Sequence, residues 1–271
     1  MFAWHRVAAL ARKDALELMR NPGAIFPAVM MVFASLFPAF LVIVITPRIV
    51  GKTLEESGEF ADEAVKAIGT LPELAGLSGN ALVQTFVFHQ FSLLLLMVPI
   101  VGAMSLATHA VIGEKQAKAL EPILATPIST LELLAAKVTT PFLFALVLSW
   151  SAAALYVGGA IIFGEPGVWR ALLSARFVMM FGLLGPLVEL ASLLLSVIVS
   201  SRAADPRSAQ QITALLILPV TGLFVAQLMG VFVIGGAVLI FGSLGCVILN
   251  GLLLWVGVQV FQRESILTRW R

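Results

Sequence analysis

The sequence predicts an all-α polytopic membrane protein, six transmembrane helices forming a single domain over residues 1–271, and three observations carry that expectation. First, 60% of the 271 residues are hydrophobic and only 12% are charged, with a mean hydropathy of +1.03. A soluble domain carries about twice that share of charge and could not hide so much apolar surface, and a disordered chain needs the opposite composition. Second, the charge-free stretches reach the ~20 residues that a helix needs to cross a bilayer. Third, tyrosine occurs once and period-two alternation is missing, which argues against an outer-membrane barrel. The lone Cys246 provides neither a disulfide framework nor a cysteine metal site. The net charge of +2 gives no sign of a nucleic-acid partner.

The elements follow in chain order. Residues 1–22 read as an amphipathic interface helix. At 100° per residue, Trp4, Val7, Ala8, Ala11, Ala15, Leu18 and Met19 fall on one side, with Arg6, Lys13, Glu17 and Arg20 on the other. That is the pattern of a helix lying in a membrane interface, as a simple anchor or as a docking surface. Asn21-Pro22-Gly23 turns the chain into the first span. Spans are expected at 24–46, 85–112, 138–163, 177–200, 212–229 and 237–261. The last two divide a charge-free run of about 50 residues, too long for one crossing, at a cluster of Gly222, Gly230, Gly235 and Gly236. The polar segment 47–84 separates the first two spans. In it, Thr53 and Glu56 have capping-box spacing, opening one short helix to Ile68 with Phe60, Ala64, Ala67 and Ile68 on its apolar side.

Segment 113–137 is the most informative loop. Glu114, Lys118 and Glu121 fall at i, i+4 and i+7 on one helical face, and Glu114 before Lys118 is the favourable order for a helical charge pair. Pro122 and Pro127 stop that helix from running on. Ser129 and Glu132 have capping-box spacing, so a new helix starts there and leads into the third span. This is either a rigid protrusion or an ordinary interfacial loop.

Lysine and arginine mark cytoplasmic segments. With six spans, one face carries Arg6, Arg12, Lys13, Arg20, Lys115, Lys118, Lys137, Arg202, Arg207, Arg263, Arg269 and Arg271. The other carries Arg48, Lys52, Lys66, Arg170 and Arg176, together with the acidic run from Glu55 to Glu63. Both termini are therefore expected in the cytoplasm, with the chain in the cytoplasmic membrane. Trp169 and Tyr156 fit an outer aromatic belt, Trp4 and Trp270 an inner one. Pro27, Pro38, Pro99, Pro186 and Pro219 lie within spans, where proline frees backbone carbonyls and bends helices.

Glu189 is the one acidic residue inside an expected span, midway between Arg176 and Arg202. A carboxylate at that depth is costly and marks a candidate functional position. Gly182, Gly185, Glu189, Ser192, Ser196 and Ser200 fall near one face, a small polar stripe suited to close helix approach and to hydrogen bonds across it. Glu189 is open to three readings: protonated and hydrogen-bonded, paired with His89 or His109, or lining a transport path with Ser192 and Ser196. The two histidines begin and end the second span, about 30 Å apart along a helix, too far to share a metal, and no metal site is expected.

The run Gly113-Glu114-Lys115, Leu120-Glu121-Pro122-Ile123-Leu124-Ala125-Thr126-Pro127-Ile128-Ser129, then Glu132-Leu133-Leu134 and Lys137, resembles the signature loop of type-2 family (type V fold) ABC transporter permeases. Arg12-Lys13-Asp14 with Arg20-Asn21-Pro22 is similar to that family's start. Lys118-Ala119 departs from the Gly-Thr common there. The resemblance implies a permease subunit of an ATP-driven exporter, working as a dimer with a second copy or a paralogue, above two ABC ATPase subunits. It implies that Glu114, Lys118, Glu121, Pro122, Thr126 and Pro127 form the ATPase-coupling segment, and that Arg12, Lys13, Asp14 and Arg20 belong to an interface helix beside it.

The sequence carries no GxxxxGK(S/T) phosphate loop, so no cofactor is expected in this chain, and ATP and Mg belong to the partner ATPase. The chain itself is expected not to be an enzyme. An intramembrane enzyme would need paired reactive groups near the midplane, where the sequence offers Glu189 alone. An ion- or proton-coupled secondary transporter built on Glu189 is the alternative, though the internal repeats usual in such folds are not evident.

Overall fold

The computed structural model describes residues 4–58, 60–116, 129–203, 205–230 and 234–260, the side chains of 6, 114–116 and 130–131 excepted. Among the described residues all regular structure is helical. Six helices are long and apolar enough to cross a membrane: Pro22–Val50, Gly79–Gly113, Glu132–Phe163, Ala175–Arg202, Pro206–Leu228 and Gly236–Val260. They are called spans one to six. A shorter helix, Trp4–Met19, precedes them and marks the near end of the bundle. The segment between spans one and two marks the far end.

Most spans begin earlier than hydropathy suggests, because helix starts are set by capping groups rather than by the first apolar residue. Span three grows from a capping box: the Ser129 Oγ accepts from the Glu132 N–H at 3.2 Å, and the Ser129 N–H donates to Glu132 Oε2 at 2.8 Å. Its helix runs unbroken from Thr130 to Phe163. Span five starts at Pro206, behind Asp205. One Asp205 carboxylate oxygen accepts from the Ser208 N–H and the other from the Ser208 hydroxyl. The Ser208 hydroxyl above all, then its N–H, holds the Asp205 carboxyl below its ordinary range.

Span two is the axis of the bundle. In its most apolar stretch 94% of residues are buried, against 17% in spans five and six. It packs on spans one, three, four and five, while span six leans mainly on span four. Small residues allow that centrality. A methyl group built on Gly102 would lie 3.3 Å from the Ala145 Cβ and 3.8 Å from the Ala28 Cβ, where spans one, two and three converge. Gly159 is tighter still, since a Cβ there would overlap the ring of Phe40. Phe40 in turn meets Phe88 and Tyr156 edge-on. Tyr156 is fully buried and its hydroxyl donates to the Phe88 carbonyl at 2.7 Å. It is therefore a core residue and not part of an aromatic belt, because a buried phenol needs an acceptor and span two supplies one.

Proline explains where the spans depart from α geometry. Wide or tight turns occur at Leu41–Ile45, Leu93–Leu96, Met180–Leu184 and Ala214–Leu216. Each contains the residue four before a proline: Ile43 before Pro47, Leu95 before Pro99, Gly182 before Pro186 and Leu215 before Pro219. Proline cannot donate to that carbonyl and its ring crowds it, so the winding changes locally. Two carbonyls in these turns are taken by side chains: Phe181 O accepts from Trp150 Nε1 at 3.1 Å, and Leu41 O from the Thr46 hydroxyl at 3.2 Å. Pro27, Pro38 and Pro141 sit inside helices without such a turn.

The far-end segment is packed down onto the bundle. Leu54, Leu71 and Leu74 are buried to 1%, 2% and 0% exposure. The Thr53–Glu56 capping box forms, but the single expected helix is two, Leu54–Ser57 and Ala61–Ala67. Gly58, at φ +75°, ends the first in the left-handed conformation, which favours glycine. Asn80 ties the segment down: its carbonyl oxygen accepts from the Leu54 N–H and its amide donates to Glu165.

Candidate functional site

Among the described residues, a buried ion pair joins the elements of the near end. Lys137 Nζ donates to Asp14 Oδ2 at 2.9 Å, and the two side chains are 2% and 3% exposed. They come from parts of the chain 123 residues apart. Val7, Asp14 and Leu18 form the buried face of the amino-terminal helix, with Ala11 half-buried between them. The helix packs on the start of span three, where the Thr140 hydroxyl donates to the Ala11 carbonyl at 2.9 Å. This alters the amphipathic assignment. Trp4 and Met19, expected with the apolar side, are 73% and 66% exposed, while Asp14 turns inward. The reason is local: a lysine from the neighbouring helix meets Asp14, so an acidic residue can take a core position that an unpaired one could not.

Arg12, Lys13 and Arg20 are exposed. Lys13 Nζ lies 3.7 Å from Glu17 Oε2 and 3.9 Å from Asp14 Oδ1. On its other side the amino-terminal helix borders the end of span two, across a cleft of about 330 Å³ lined by Asp14, Glu17, Asn21, His109 and Gly113. His109 Nδ1 is 2.9 Å from the Ser105 carbonyl, and the Ser105 hydroxyl donates to the Ala24 carbonyl at 2.8 Å. Glu114 lies on the helix Met97–Gln116 that ends span two. Lys118, Glu121, Pro122, Thr126 and Pro127 lie outside the described residues. The described structure therefore gives both ends of the 113–137 segment: the end of span two, and the capped start of span three that carries Lys137.

The second candidate is Glu189. It is fully buried, and among the described residues neither carboxylate oxygen has a hydrogen-bond partner. It lies 13 residues from each of Arg176 and Arg202, about 20 Å along the axis either way. Neither histidine pairs with it. His109 is bonded to its own helix, and His89 lines a far-end cavity with Arg176. Gly185, Glu189, Ser192, Ser196 and Ser200 are all buried, on the span that packs most closely against span two. Gly182 leaves the stripe and is exposed, because the wide turn at Met180–Leu184 shifts the helical register before Gly185. Among the described residues the serines do not donate across the interface as expected. Ser192 donates to the Val188 carbonyl and Ser196 to the Ser192 carbonyl, at 2.8 and 2.6 Å. A hydroxyl on a helix reaches the carbonyl four residues back without any neighbour's help.

Sequence reasoning missed the Asp14–Lys137 pair, although both residues were singled out, one in the amino-terminal helix and one as a cytoplasmic-face charge at the end of the 113–137 segment. Charge along a single chain does not report which helices adjoin. A scan against protein-family models and a search of curated proteins found no match.

Proposed function

We propose that this chain is the permease subunit of an ATP-driven ABC exporter in the cytoplasmic membrane, with both termini cytoplasmic. The observation that carries the reading is the run from Gly113 to Lys137, whose sequence resembles the coupling loop of such permeases. It is supported by the anchoring of that loop's exit: Lys137 is tied to Asp14 of the amino-terminal helix. A loop with a fixed root transmits displacement, whereas one with a loose root absorbs it. In this reading two permeases pair, as identical copies or as paralogues. Two ATPase subunits bind ATP and Mg below them. Glu114, Lys118, Glu121, Pro122, Thr126 and Pro127 receive their motion, and Arg12, Lys13 and Arg20 offer charge on the neighbouring helix.

Co-expression with an ATPase encoded beside it tests this. The complex should co-purify, and the permease should stimulate hydrolysis. Glu114→Ala with Glu121→Ala should abolish coupling while membrane insertion stays normal. ATPase-linked export that is unchanged in the double variant counts against the assignment.

A second reading, an ion- or proton-coupled transporter, is favoured by one observation, the buried Glu189, whose carboxyl has no hydrogen-bond partner among the described residues. The two readings part on a single measurement, since transport by the chain without any ATPase supports the second and excludes the first.

A further inference from the structure

We propose that Glu73, Arg176 and the backbone at Ile234 form a latch that closes the far end of the bundle over a small cavity holding the buried polar side chains of His89 and Ser92. Arg176, at the start of span four, holds two separate segments at once. Its Nε lies 3.7 Å from Glu73 Oε1, on the short turn Pro72–Leu74 of the far-end segment. Its Nη1 donates to the Ile234 carbonyl at 2.8 Å, on the connection between spans five and six. Both side chains of the ion pair are largely buried, 12% and 16% exposed. One guanidinium thus joins the far-end segment, span four and the last pair of spans. Its rigid fork suits such multiple contacts better than an ammonium would.

What lies on either side of the pair gives the latch its role. Outside is an open cleft of about 670 Å³, lined by Glu73, Gly76, Gly167, Arg170 and Ser174. Inside is a small cavity, with room for about one water, lined by His89, Ser92, Arg176 and Gln227 and by four apolar residues. Glu73 lines the first and Arg176 the second, so the ion pair is the partition between them. Half of the residues lining the inner cavity are polar. His89 and Ser92 are each 5% exposed, and His89 Nε2 has no hydrogen-bond partner among the described residues; nor does Glu73 Oε2. Span five meets this wall through the Gln227 amide, which donates to the Gln90 carbonyl at 3.3 Å, and through Phe224, whose ring packs on Phe91. When Glu73 and Arg176 part, water from the outer cleft reaches His89 and Ser92, so the ion pair sets their access to solvent. As the exit closure of a permease the latch rests on the transport reading; as a closure of the bundle it does not.

The test is thiol accessibility in full-length protein in lipid nanodiscs, without any ATPase. Cys246→Ser removes the only native thiol, and Ser92→Cys reports on the inner cavity. A charged methanethiosulfonate should label the thiol at position 92 slowly in the parent. Labelling should be about tenfold faster in Glu73→Gln, the factor expected if the pair holds the closed state by one decade in equilibrium constant. Glu73→Gln leaves the Arg176–Ile234 bond in place, which limits general damage. A second reporter, Ser196→Cys on the buried stripe of span four, should not change. Equal rates at position 92 with and without Glu73→Gln overturn the latch, as does a parallel rise at position 196, which would mean that the whole bundle loosens. Faster labelling at position 92 in a chain that never binds an ATPase keeps the latch and removes the permease reading.

Discussion

Asp14 and Glu189 are both carboxylates removed from solvent, at 3% and 0% exposure, yet their surroundings are opposite. Asp14 lies where two helices meet at the near end, and Lys137 reaches it at 2.9 Å. Glu189 lies in the middle of span four among glycine and serine, with two hydroxyls of its stripe already spent on their own helix. Burial alone therefore does not define a site. A paired buried charge fixes the relative position of two elements, and removing one partner leaves the other uncompensated. An unpaired buried carboxyl fixes nothing and is left free for chemistry, at a standing cost in stability. The clamp and the carboxylate thus differ in role: one holds the structure, while the other is tolerated by it.

The comparison can be broken at its strongest point first. Lys137→Met should destabilise the protein by about 3 kcal/mol, because Asp14 loses its 2.9 Å partner and keeps Lys13 at 3.9 Å, read from unfolding in detergent micelles. Adding Asp14→Leu should recover most of that loss. A double variant as unstable as the single one would mean that Lys137 acts by packing and not through the pair. Next comes a buried neutral bond as a reference. Tyr156→Phe removes the hydroxyl that donates to Phe88 and should cost about 1 kcal/mol in the same assay. Glu189→Gln should fall below that, within about 1 kcal/mol of the parent, because among the described residues it has no ionic partner to lose. A loss on the scale of Lys137→Met would show a charged partner and end the contrast.

The smallest effect belongs to an exposed carboxylate. The Asp205 carboxyl is held below its ordinary range, chiefly by the Ser208 hydroxyl. Its folded value is depressed, so its capping contribution is complete above the unfolded value and fades as pH falls through the folded one. The Ser208 amide shift should therefore titrate with a midpoint below about 4. A midpoint at or above that value would show that the cap does not favour the charged form.

Much of the helical frame was legible because it depends on local rules. The Ser129–Glu132 and Thr53–Glu56 capping boxes form where their spacing puts them, since each needs only four consecutive residues. The intramembrane prolines flagged trouble, but the rule that four local rewindings each hold the residue four before a proline emerged only from the backbone. Hydropathy misjudged Tyr156 as a belt residue, because a window average cannot see an acceptor on span two. It also missed the slip of Gly182 off the polar stripe, because a constant 100° per residue takes no account of a wide turn. The near-end clamp and the far-end latch were illegible for a common reason. Asp14 with Lys137, and Glu73 with Arg176, are pairs made by contacts between helices distant in sequence.

Composition and local rules were enough for the class of protein, the number of helices able to cross a membrane, two of the capping boxes that open helices and the presence of Glu189 within a span. These follow from composition, from local capping and from the cost of charge in an apolar stretch. Only the tertiary structure decided which charges are partnered, which helix is central and which face of the amino-terminal helix is buried. Those properties depend on which side chains arrive opposite one another when helices pack, and no periodicity along one chain encodes the neighbour across the gap.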